Sequence, residues 1–119
     1  MSSSSIVEVF QGDTTTIQRV RPSVLALDEV IASPWECRQN VIDHHGNVVV
    51  ESSEITSFSS DQLRWLVALT PSQTQSLPVE YNEPYSKYIW VIQVSNPDTT
   101  PPFSVEKHIE LRVKKQGLS

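Results

Sequence analysis

Apolar and polar residues alternate along most of this chain with the period of two that marks half-buried β-strands. Near the C-terminus, Val105, Ile109, Leu111 and Val113 interleave with Glu106, His108, Glu110, Arg112 and Lys114, which predicts a last strand with one clean solvent face. Leu63, Trp65, Val67 and Leu69 line one face of an earlier strand. Tyr88, Trp90, Ile92 and Val94 do the same later, but Ile89 and Val91 make the opposite face of that strand apolar as well. Such a strand is expected to be central and covered on both sides. Between these runs lies a short segment with helical start signals. Thr70 suits an N-cap, Pro71 the first helical position, and Gln73, three residues after the cap, completes a capping box, so one helical turn is predicted before Pro78 stops it.

Upstream the pattern is more broken. Residues 6–10 form a short β-rich run that ends at Gly12-Asp13, a turn or bulge, and residues 14–20 read as a second strand closed by Arg21-Pro22. Residues 23–32 fit a short helix about as well as an extended crossover; the extended reading is preferred. After Pro34, Trp35, Cys37, Gln39 and Val41 share one parity while Glu36, Arg38 and Asn40 take the other, with Ile42 as the exception. Residues 43–47 carry turn chemistry, and residues 48–51 return as the partner strand of a hairpin. Residues 52–60 read as a polar loop in which Ile55 and Phe58 tuck back as anchors, and residues 96–102 as a proline-rich turn. Seven or so short strands spaced by turn signals predict an all-β domain, an antiparallel two-sheet immunoglobulin-like sandwich with one short helical turn, an open barrel being the alternative. The domain is expected to span residues 1–119 as one unit, with residues 1–5 and 116–119 as flexible tails.

Composition narrows the function classes. A chain of 119 residues buries a real core without disulfides or metals. The net charge of -5, with Lys114-Lys115 as the only basic cluster, argues against a nucleic-acid partner, because phosphate binding needs concentrated Lys and Arg. Cys37 is the sole cysteine, so no intrachain disulfide forms. The first residues lack the pattern of a signal peptide and no apolar run reaches membrane-spanning length, so a cytoplasmic origin and no membrane partner are expected.

No constellation with catalytic or metal-binding spacing stands out. His44 and His45 are adjacent and suit a polar turn better than a chelate, and His108 lies on a polar strand face without a ligand partner at local spacing. No G-x-S-x-G elbow exists, and Cys37 falls inside a predicted strand where it packs as a small apolar residue. The carboxylates Asp28, Glu29, Glu106 and Glu110 read as solvated charges, and the 3 glycines form no phosphate cradle. No catalytic residue, metal or cofactor is therefore expected. The three tryptophans sit at inward parity and are assigned to the core, leaving Tyr81 and Tyr85, in the loop before the central strand, as the better contact residues. Ile89 and Val91 must also be covered, by residues 24–31 of the same chain or by a partner subunit. The expected contact set is thus Ile89, Val91, Tyr81 and Tyr85.

Three features in this order, Gln11-Gly12-Asp13-Thr14, Leu69-Thr70-Pro71-Ser72-Gln73-Thr74 and the Tyr-rich strand start at residues 85–88, resemble small immunoglobulin-like proteins of tailed bacteriophages and prophages. The set looks most like the N-terminal domain of phage upper baseplate proteins. It departs from that pattern at Leu27-Asp28-Glu29-Val30, where those proteins usually carry Asp-Leu-Thr-Gly, and in its longer hairpin. The resemblance implies a non-enzymatic virion structural protein of tail, baseplate or neck. Such a protein is made in the host bacterial cytoplasm, is homo-oligomeric and docks to other virion proteins. It supplies no catalytic residue. The alternative reading is a carbohydrate-binding or host-recognition module that uses the loop aromatics.

Overall fold

The computed structural model of the chain describes residues 5–80 and 82–115. The expected mobility of residues 1–4 and 116–119 and the contact role of Tyr81 lie outside the described residues. Ser5, assigned above to the tail, is instead the first residue of a strand. The elements are β1 (Ser5–Phe10), β2 (Gln18–Val20), β3 (Glu36–Ile42), β4 (Val48–Glu54), β5 (Trp65–Val67), α1 (Pro71–Gln75), β6 (Ser86–Asn96) and β7 (Phe103–Lys114).

Among the described residues the protein is all-β, with two sheets and one short helix. One sheet has five strands in the order β1-β7-β6-β3-β4, and the other pairs β2 with β5. The larger sheet is mixed rather than antiparallel, because β1 runs parallel to β7 from Ser5 opposite Ile109 to Phe10 opposite Lys114. No turn joins these two strands, so no local signal sets their direction. β6 is central, flanked by β3 and β7 as its two apolar faces suggested.

One core fills the space between the sheets. Trp65 and Val67 from β5 meet Cys37 and Val41 from β3, Trp90 and Ile92 from β6, and Ile109, Leu111 and Val113 from β7. Burying each such side chain contributes about 1.5–3 kcal/mol. Trp65 and Trp90 are core residues as expected, whereas Trp35 is half-buried and meets Phe103 edge-on, with ring centroids 5.3 Å apart. Gln39 shares the buried parity of β3 and is a polar bridge between the sheets. It accepts a hydrogen bond from Trp90 Nε1 at 2.8 Å and donates one to the Ala68 carbonyl, just beyond β5, at 3.1 Å.

Cys37 is fully buried, and desolvation pushes its thiol up to about 12. The native protein is therefore expected to resist a bulky thiol reagent at pH 8 and to react once unfolded. Rapid labelling under native conditions would show that β3 opens readily.

The second strand is shorter than its pattern, since ladder pairing is confined to Gln18–Val20. Thr15 takes over nearer the helix, where its N–H donates to the Leu69 carbonyl at 3.2 Å and its Oγ1 accepts from the Leu69 N–H at 2.8 Å. Residues 23–32 form neither a helix nor an extended crossover. They make successive turns, with the Leu25 N–H on the Pro22 carbonyl and the Glu29 N–H on the Ala26 carbonyl. The Arg21 guanidinium pins these turns by donating to the carbonyls of Ala26, Glu29 and Leu63. Five donors in one rigid fork can hold several carbonyls where secondary structure holds none.

Helix α1 follows its local code. The Gln73 N–H donates to Thr70 Oγ1 at 3.2 Å, and Gln73 Oε1 accepts from the Thr70 N–H at 2.8 Å, with Pro71 in the first turn. Thr70→Ala is expected to cost about 1 kcal/mol, the usual worth of an N-cap. An unchanged urea midpoint would mean that tertiary contacts alone hold the turn.

The three sequence features singled out above converge here. Gln11 Nε2 donates to the Leu77 carbonyl at 2.7 Å, the Gly12 N–H donates to Thr74 Oγ1 at 3.0 Å, and that hydroxyl donates to the Asp13 carbonyl at 2.7 Å. Gly12 has φ of 84°, a backbone conformation that favours glycine; the atom nearest to an added side chain, Gln75 Oε1 at 2.8 Å, ends a flexible side chain that can move aside. Tyr88, at the start of β6, donates its phenol to the Pro78 carbonyl just past the helix. The motifs thus fasten α1 to the β1–β2 turn and to β6.

Candidate docking surface on the outer face of the larger sheet

In β6, alternate side chains from Tyr88 to Asn96 point into the core, which sends Ile89, Val91, Gln93 and Ser95 to the outer face. Directly opposed residues on adjacent strands share a face. Ile89 is opposite Ile42 on β3 and Glu110 on β7; Ile42 in turn is opposite Val48 on β4, and Glu110 is opposite Ile6 on β1. One row of side chains, Val48, Ile42, Ile89, Glu110 and Ile6, therefore crosses the whole sheet. Only Glu110 in it is polar. Its ends are the most open, with Val48 56% and Ile6 48% exposed, while the three inner members are half-buried.

Val91 sits in the next outward row between Asn40 and His108 and is only 8% exposed. On a central strand, side chains to left and right shield such a valine without any layer above it. Residues 24–31 supply no cover. They do not line the hollow of about 310 Å³ over Ile89, which is walled by His44, Lys87, Tyr88, His108 and Glu110. Of the two ways to cover Ile89, the intrachain one is absent among the described residues.

A second, larger cleft of about 540 Å³ adjoins this hollow through His44, Lys87 and Tyr88, between the β3–β4 hairpin and the segments 78–80 and 83–88. Asp43 organises the hairpin by accepting from the N–H groups of His45 and Asn47, each at 2.9 Å. These bonds, that of Asn47 foremost, hold its carboxyl below the usual range, so the turn loses support as the pH falls through that lowered value. His44 and His45 are exposed, with ring centroids 4.0 Å apart. Burial raises the Tyr88 phenol, with the Asp43 and Glu80 charges adding to it, which keeps the phenol a donor to Pro78.

Tyr85 lines this cleft but does not present a free ring. The Arg112 guanidinium lies over it, 5.0 Å from the ring centroid. Arg112 is itself held by Glu110, Nε to Oε2 at 2.6 Å, and lies 3.7 Å from Glu8. The Arg112 hydrogen bond holds the Glu110 carboxyl below its usual range, and the same bond raises Arg112. The one charge in the apolar row is thus neutralised beside it. His108 meets Glu106 at 3.1 Å. Among the described residues no three His, Cys, Asp or Glu side chains gather as a metal-ligand set.

The structure therefore brings Ile89, Val91 and Tyr85 to one end of one face, and adds Ile42, Val48 and Ile6, which sequence reasoning missed. Ile42 was visible as the residue that broke the alternation of β3. Val48 and Ile6 carried no such signal, since their place in the row depends on strand register. No family model, curated protein or solved structure matches this chain.

Proposed function

We propose that this chain is an immunoglobulin-like structural module of a bacteriophage or prophage virion, acting in tail, baseplate or neck through protein–protein contacts and without catalysis. The sandwich reading draws support from the strand order. β7, β6 and β3 stand as the G, F and C strands of such a domain with β4 as C′, facing β2 and β5 as B and E. Tyr88 supplies a tyrosine corner, a phenol at the start of the F strand bonded back to the backbone upstream. The virion assignment rests on the three-part motif of the sequence.

The observation that carries the docking reading is the row from Val48 to Ile6, apolar on four of its five strands, with Glu110 on the fifth paired to Arg112. An apolar centre with a polar rim is the anatomy of a protein interface. Recognition of glycans through the loop aromatics is weakened by Arg112, which occupies a face of Tyr85 that a sugar ring would need.

Light scattering across a concentration series tests the surface. Wild-type mass is expected to rise with concentration, and Ile89→Lys, at a half-buried outer position, is expected to stay folded and lose that association. A wild type that is monomeric throughout, together with an Ile89→Lys, Val91→Lys double variant that unfolds, would return these side chains to the fold. Genes for tail or head proteins beside this one are the expected coding context; their absence would remove the virion assignment.

A further inference from the structure

We propose that two copies of this chain pair by seating the loop of residues 24–30 of each in an apolar groove beside β7 of the other. This contact is separate from the outer face and does not rest on it.

The loop is an apolar knob. Leu27 is 93% exposed, with Val24 at 61% and Val30 at 50%. Three large aliphatic side chains open to water within seven residues are unusual for an isolated surface. The loop is also ordered in advance. Arg21 holds the carbonyls of Ala26 and Glu29, the Ala26 N–H donates to Glu29 Oε1 at 3.3 Å, and the Ile31 N–H is bonded to the Gln62 carbonyl at 3.0 Å. A knob already held in shape loses little entropy on docking.

The groove exists because β1 is short. β1 pairs with β7 only from Ile109 onward, so the first half of β7 has no strand on that side. A hollow of about 200 Å³ opens there, lined by Val20, Arg21, Ile92, Val94, Phe103, Val105 and Lys107. Val105 keeps the inward parity of β7 yet is 53% exposed for the same reason.

Charge favours the match. No carboxylate lines the groove, and Lys107 has no side-chain hydrogen bond or ion pair among the described residues. Asp28, next to Leu27, is likewise without one. An apolar knob that carries Asp28 and Glu29 thus faces an apolar groove whose charged lining, Arg21 and Lys107, is wholly cationic. The loop also leaves the groove wall directly, since Pro22 and Ser23 belong to that wall. Knob and groove lie side by side, so one two-fold axis beside them lets both contacts form together, the geometry of an isologous pair.

Light scattering and sedimentation equilibrium over a concentration series test this. The wild type is expected to dimerise, and Leu27→Asp, which alters a solvent-exposed side chain, is expected to remain folded and weaken the dimer by roughly tenfold or more, as for an interface anchor. Val105→Asp should do the same from the groove side. Asp28→Lys and Lys107→Glu should each weaken pairing, and combining them should restore it. A wild type that stays monomeric, or a dimer untouched by Leu27→Asp, overturns the inference. Loss of pairing in Ile89→Lys but not in Leu27→Asp overturns it too, while upholding the outer face; the reverse result separates the two in the other direction.

Discussion

Gln39→Leu is expected to lower the stability by about 3 kcal/mol, because it leaves two polar groups in the interior without partners. Gln39 is 4% exposed and Trp90 fully buried, so no water replaces the amide that now receives Trp90 Nε1 and donates to the Ala68 carbonyl. Orphaning a buried donor or acceptor costs about 1–3 kcal/mol each, more than the added apolar volume of leucine returns. The bridge also ties β3 to the chain just past β5, so it does across the sheets what an inter-sheet disulfide does elsewhere. Urea unfolding of Gln39→Leu, Trp90→Phe and the double variant measures it. A coupling of about 1 kcal/mol or more is expected, since each single change removes the shared hydrogen bond. Purely additive losses would assign the effect of both residues to packing.

Thr74→Val is expected to cost about 2 kcal/mol, although it keeps the shape of the side chain. Thr74 is fully buried, and its hydroxyl both receives the Gly12 N–H and donates to the Asp13 carbonyl. Valine leaves both backbone groups unpaired beneath α1. Thr74→Ser keeps the hydroxyl and loses only a methyl, so it should cost less, about 1 kcal/mol. Hydrogen exchange supplies the local readout, as the Gly12 amide should lose protection in the valine variant and keep it in the serine variant. Equal destabilisation by valine and serine would show that the methyl contact, not the hydroxyl, fastens the helix.

Gly12, Thr74 and Tyr88 show why the motif was legible while its task was not. The residue types at these positions are constrained by hydrogen bonds across 62 residues in one case and 10 in the other. A sequence displays such constraints as isolated unusual residues. It does not display that they meet.

Helix α1 was readable in full, because a capping box is written within four consecutive residues and needs no tertiary partner. The alternation of β3, β6 and β7 likewise exposed their buried faces, since the pleat sends every second side chain to one side whatever the partner strand. The parallel direction of β1 was not readable, nor was the failure of β1 to reach Val105, because both depend on pairing between chain ends about a hundred residues apart. Residues 23–32 took neither form offered by their pattern, because Arg21 satisfies two of their carbonyls from outside the segment.

By itself, then, the sequence determined the all-β class, the capped helical turn, the central place of residues 86–96 and the burial of Cys37, all of which follow from periodicity and local hydrogen bonding. Tertiary structure alone decided which apolar residues stay open to water. Ile6, Ile42, Ile89 and Val48 became one row through the register of five strands, and Leu27 became a knob through the pinning of its loop. Exposure is a property of what stands beside a residue in space, and here those neighbours come from distant parts of the chain.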